Sequence, residues 1–149
     1  MIPKASESLS HISTRIAVDL IPKASDAYAG ADLAFLTMMI SMVGQDFERF
    51  ADVHVREHAE MCAIFDKAMD HLPAALKARA VEARSLKAAS LRASDLNARA
   101  DITTRLLIDI HAFVEQQMDA GQAWAGDLNN EIWAFLDSYA KDRAYEVPF

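Results

Sequence analysis

A chain of 149 residues with a formal net charge of −7, 52% apolar residues and one cysteine can bury a core without staples and is too apolar to stay disordered. The acidic balance argues against partners recognised by neutralising phosphates, so neither a nucleic-acid backbone nor an anionic membrane surface is expected. Cys62 has no second cysteine to pair with, residues 1–8 lack a signal peptide's apolar core, and the expected compartment is the cytoplasm.

Four glycines and four prolines leave little turn chemistry for strands. Pro3, Pro22, Pro73 and Pro148 fall at segment ends. Leu9, Ile12, Ile16 and Leu20 form one helical stripe, so a first helix is expected over about 8–21, capped by Ser6 or Ser8 and ended by Pro22.

A second helix, capped by Ser25 or Asp26, should run to about Leu72. It carries a 3,4-spaced seam of Leu33, Leu36, Ile40, Val43, Phe47 and Phe50. The seam turns polar at His54 and Glu57 and resumes at Met61, Ile64 and Ala68. Phe35, Met39 and Met42 add a second stripe, so the first half needs neighbours on more than one side. The run Ala31 to Val43 contains Asp32 and Ser41 and falls short of the ~20 residues that span a bilayer, which reads as a buried helix half. Gly44 marks either a kink or a close helix approach.

Pro73 suits the first turn of a third helix, whose pattern either continues to Gly121 or divides, its Ala-rich early part forming a separate short helix over about 74–84. In the divided case a long fourth helix follows over about 86–120, seamed by Leu96, Thr103, Leu107, Ile110 and Val114 and ended by Gly121. The basic stretch from Lys77 to Arg105, which includes Arg99, reads as a solvated face. Gln122 to Gly126 reads as a loop carrying Trp124. Asp127 or Asn129 would cap a last helix that buries Leu128, Ile132, Phe135, Leu136 and Tyr139, and a non-helical tail follows over 144–149.

The expected fold is therefore all-α. It is an up-and-down helical bundle of four to five helices with two long antiparallel helices, in a single domain over 1–149. A straight second helix of ~46 residues would reach about 70 Å, against about 38 Å for a compact domain of this size. Either it breaks near Gly44 or a second chain covers it, and the expectation is a two-fold homodimer.

Chemistry has one opening. His54 and His58 are four apart, as are His111 and Glu115 on the fourth helix. Two such pairs facing each other across antiparallel helices are donors suited to iron or zinc. The Glu-x-x-His pairs of ferritin-like di-iron bundles are absent. The spacing superficially resembles the hemerythrin pattern, but in reversed order and without the following His-x-x-x-x-Asp, so neither family is implied. No P-loop, Gly-x-Gly-x-x-Gly, Gly-x-Ser-x-Gly or Cys-x-x-Cys occurs. Cys62 has acidic neighbours and reads as a packing thiol. The leading expectation is a non-enzymatic interaction or accessory protein that self-associates through apolar surface around Phe35, Met38, Met39 and Met42. The competing one is a metal-binding bundle using His54, His58, His111 and Glu115.

Overall fold

The structure, a computed structural model, describes residues 4–146. It is all-α: α1 covers Ala5–Arg15, α2 Ala27–Ala68, α3 Ala74–Ser85, α4 Ala93–Asp119 and α5 Ala123–Asp142, with no strand among the described residues. The expectation for Val147, Pro148 and Phe149 lies outside the described residues, and 144–146 are not helical.

Local chemistry sets the boundaries. α1 starts after Lys4, earlier than the serines suggest, and Glu7 in its first turn pairs with Lys4 at 3.0 Å near the positive helix end. Beyond Arg15 the chain widens into a π-turn over Ile16–Leu20 and tightens into a 3-10 turn over Ile21–Lys23. Pro22 has no N–H to continue the α-helical ladder. Asp26 caps α2, its Oδ1 accepting from the N–H groups of Tyr28 and Ala29 at 2.9 Å each, which lowers its pKa. α2 is unbroken at Gly44. A methyl group there would meet Leu9 Cβ at 3.6 Å, an ordinary van der Waals contact, so α1 packs beside Gly44 with room for a side-chain carbon.

The chain divides into two compact units, and the division falls inside α2, where no linker composition marks it. The first contains the described residues up to Phe50 with Ala144 to Glu146; the second is Ala51–Arg143.

In the first unit, α1 lies antiparallel to the start of α2. Leu9 sits by Gly44, and the Ser13 hydroxyl donates to the Thr37 carbonyl at 3.2 Å. Residues 144–146 are strapped to α2. Gln45 exchanges two hydrogen bonds with the Glu146 backbone, Arg49 donates to the Ala144 carbonyl, and the Tyr145 hydroxyl donates to Asp46.

In the second unit the helices alternate in direction. α5 runs antiparallel to α2, with Lys67 on Glu131 at 2.6 Å and Arg56 on Asp142. Gly121, at φ 78°, turns α4 back into α5. Phe65, Leu106, Ile110, Val114 and Ile132 are fully enclosed at the centre. α5 begins at Ala123, so Trp124 is helical and not in a loop. Its ring stacks on His71 at 4.1 Å. Asp127 and Asn129, which resemble caps in the sequence, lie within the helix.

Candidate functional site

The polar interruption of the α2 seam becomes a buried ionic cluster in the second unit. His54, His58 and Cys62 follow at four-residue intervals and so share a helix face, with Glu57 one step round. Glu57 is only 2% exposed, and a lone carboxylate at that depth would be costly. Its charge is met by Arg143, at the C-terminal end of α5, whose guanidinium donates to Glu57 Oε2 at 2.8 Å. The same guanidinium lies over the Tyr139 ring at 3.7 Å from its centre, a cation–π contact that helps offset its desolvation.

Arg99 enters from the second turn of α4 and donates to the His54 carbonyl at 3.1 Å. Two guanidinium groups thus bracket the histidines. Burial first, then Arg143 and Arg99, push the pKa of His54 down. Burial and Arg99 do the same to His58, opposed by a hydrogen bond to the Leu86 backbone. Both rings are therefore held neutral near pH 7. The Cys62 sulfur lies 3.7 Å from His58 Nε2. Burial and Asp66 push its thiol pKa up, outweighing Arg84 and Arg99, so the pair does not make a thiolate nucleophile.

His111 and Glu115 lie elsewhere in this unit. His111 Nε2 is 2.9 Å from the Asn129 amide oxygen and 3.7 Å from Glu115, and its ring meets Trp133 edge-on at 5.6 Å. The sequence reading had α4 antiparallel to α2, which would bring the two pairs together. In the structure α3 first returns the chain past Asp66, where Arg84 pairs at 2.8 Å, to Leu86 beside His58. α4 therefore starts next to His54 and runs in the same direction as α2, and His111 lies against α5. No group of three or more His, Cys, Asp or Glu side chains converges among the described residues, so His54, His58, His111 and Glu115 do not form one donor set.

Sequence reasoning missed Arg99 and Arg143. Arg99 was assigned to a solvated basic face, and Arg143 lies 86 residues from Glu57. The available signal was the carboxylate at a seam position, which needs a cation from some other helix. What the cluster does chemically is clasp the end of α5 and the start of α4 to α2.

Two surface features complete the inventory. An open groove of about 440 Å³ lies between α2 and α5, floored by Ala63, Ile64, Ala134 and Phe135 and crossed by the Lys67–Glu131 pair. On the first unit, α2 exposes Tyr28, Phe35, Leu36, Met39, Val43 and Phe47. By length and composition α2 could also cross a membrane: its most apolar 18-residue window has a mean hydropathy of 1.4 and is 6% buried. The chain matches no protein-family model, no curated protein and no solved structure in the comparisons made.

Proposed function

We propose that this protein is a non-enzymatic interaction protein: the second unit is a self-sufficient helical scaffold, and the first presents a helical surface through which the protein associates with another protein chain and with itself. One observation carries the reading. Every buried apolar side chain among the described residues lies between Val53 and Phe135, whereas the first unit buries only Ser13 and Thr37. Two helices that only half-bury their large apolar side chains, such as Leu9, Leu33, Ile40 and Met42, gain less of the principal stabilising term of folding, and an additional surface would add to it. The ionic cluster supports the same reading, because Glu57 and Arg143 neutralise each other and Arg99 is engaged by the His54 carbonyl.

Light scattering at micromolar concentration tests it. Wild type should give at least twice the 16.5 kDa chain mass, and Phe35→Glu combined with Met39→Glu should lower it with helical circular dichroism retained. Unchanged association in that variant would remove the first unit from the assembly surface.

A further inference from the structure

The exposed side chains of the first unit lie on one line. Tyr28, Asp32, Phe35, Leu36, Met39, Val43 and Phe47 recur at three- and four-residue steps on the α2 face opposite α1, and that spacing suits a partner helix lying along it. Asp32 is the only charge among them. Tyr28 is 86% exposed and the other large side chains are about half exposed. Taking ~150–250 Å² for a full aromatic side chain, the stripe bares on the order of 600 Å² of apolar surface. That is at the upper end of patches on monomers, ~300–600 Å², and close to the ~800 Å² per partner of a standard interface.

We infer that this stripe is covered by the same stripe of a second copy of this chain, the two α2 segments crossing antiparallel about a two-fold axis between Leu36 and Met39. The inference rests on the proposed function and specifies its partner and geometry. Area is the first argument: two such hairpins face to face make a four-helix core in which both stripes, of matching area, are covered at once. Charge is the second. The first unit's cations, Lys4, Arg15, Lys23 and Arg49, are outnumbered by its carboxylates, which disfavours anionic headgroups, and Asp32, one turn in from the N-terminal end of the stripe, is costly in hydrocarbon.

Asp32 also fixes direction. A parallel pair would set Asp32 against its copy inside an apolar seam, where like charges are destabilising. The antiparallel pair places Asp32 opposite Val43 and separates the two carboxylates by about 16 Å along the axis, beyond the ~8–10 Å screening length. In that register Tyr28 meets Phe47 and Leu36 meets Met39, so an aromatic pair closes each end of the seam.

Disulfide trapping in a Cys62→Ser background tests direction and partner together. A mixture of Tyr28→Cys and Phe47→Cys chains should cross-link efficiently, while each alone should not. Adding Asp32→Leu should let Tyr28→Cys chains cross-link to themselves. Self-cross-linking of Tyr28→Cys or Phe47→Cys without that change would overturn the antiparallel register. A folded 16.5 kDa species at all micromolar concentrations would overturn the second copy and, with it, the self-association in the proposed function. A dimer that survives Val43→Glu would remove the stripe and the proposed function alike. Flotation of wild type with neutral phosphatidylcholine vesicles would overturn both in favour of a lipid surface.

Discussion

α2 contributes the same kind of residue to both units and is treated differently by each. From Val53 to Ala68 its seam is shut against α3, α4 and α5, and Met61, Ile64, Phe65 and Ala68 are buried. From Tyr28 to Phe47 a seam of the same spacing packs α1 on one side and, among the described residues, leaves Tyr28, Phe35, Leu36, Met39, Val43 and Phe47 exposed on the other. Hydrophobic periodicity therefore reports that a face wants cover, and it is silent on which chain supplies it. The two halves also use polar atoms differently. The first unit buries small hydroxyls, Ser13 and Thr37, which satisfy themselves on backbone carbonyls. The second buries charge and matches it with charge from distant sequence.

That contrast is broken most forcefully in the second unit. Phe65→Ala should cost about 3–5 kcal/mol by opening a cavity at the enclosed centre, read as a lowered urea midpoint at unchanged slope. Met39→Glu on the exposed stripe should change monomer stability by no more than about 0.5 kcal/mol. Comparable losses at the two sites would erase the distinction between the units.

The clasp comes next. Arg143→Ala leaves the buried Glu57 carboxyl without its cationic partner, and removing one partner of a buried pair costs ~3–5 kcal/mol. The Arg143 side chain is one-third exposed, so screening reduces the expectation to about 2–3 kcal/mol. Glu57→Leu with Arg143→Met should recover much of that loss, since no charge then remains buried. A double variant as weak as the single one would show that the pair contributes more than mutual neutralisation.

Acid should weaken the second unit through its histidines. His54 and His58 have folded pKa values below the ordinary 6.5. The unfolded chain therefore binds protons first as pH falls. Their contribution is fully present above about pH 6.5 and is lost as pH drops toward the folded values. Denaturation midpoints measured from pH 7.5 to 5.5, above most carboxylate titration, should fall in wild type and flatten in His54→Gln with His58→Gln. An equal slope in that variant would place the acid sensitivity elsewhere.

The smallest effect sharpens the comparison from the other side. Gly44→Ala places its methyl in ordinary contact with Leu9 and removes a helix-interior glycine, so the first unit should gain about 0.5–1 kcal/mol. A loss would mean that α1 approaches more closely than 3.6 Å in solution.

Much of the fold was legible because its signals are local. Asp26 does cap α2, Pro73 does precede α3, and Gly121 does end α4 in the left-handed conformation. Errors arose where local signals compete. Asp127 and Asn129 looked like caps, yet α5 starts earlier, after Gln122, with no side-chain cap at all. The fourth helix was expected to start near Leu86, but α4 begins at Ala93 after a connection that Ser90 supports by bonding Asp95 and the Arg92 N–H. The site was legible only as a gap in a pattern. His54 and Glu57 were visible as polar residues on an apolar seam, whereas Arg99 and Arg143 reach them through tertiary packing that has no signature in spacing.

The stack of Trp124 on His71 and the edge contact of Trp133 with His111 have a spectroscopic consequence. Both tryptophans of the chain lie in the second unit, so indole emission is blind to the first. Circular dichroism at helical wavelengths sees both. A denaturant titration followed by the two signals at once would separate the units without any label, and a dichroism transition that precedes the emission change and sharpens with protein concentration would be the optical trace of the N-terminal hairpins parting.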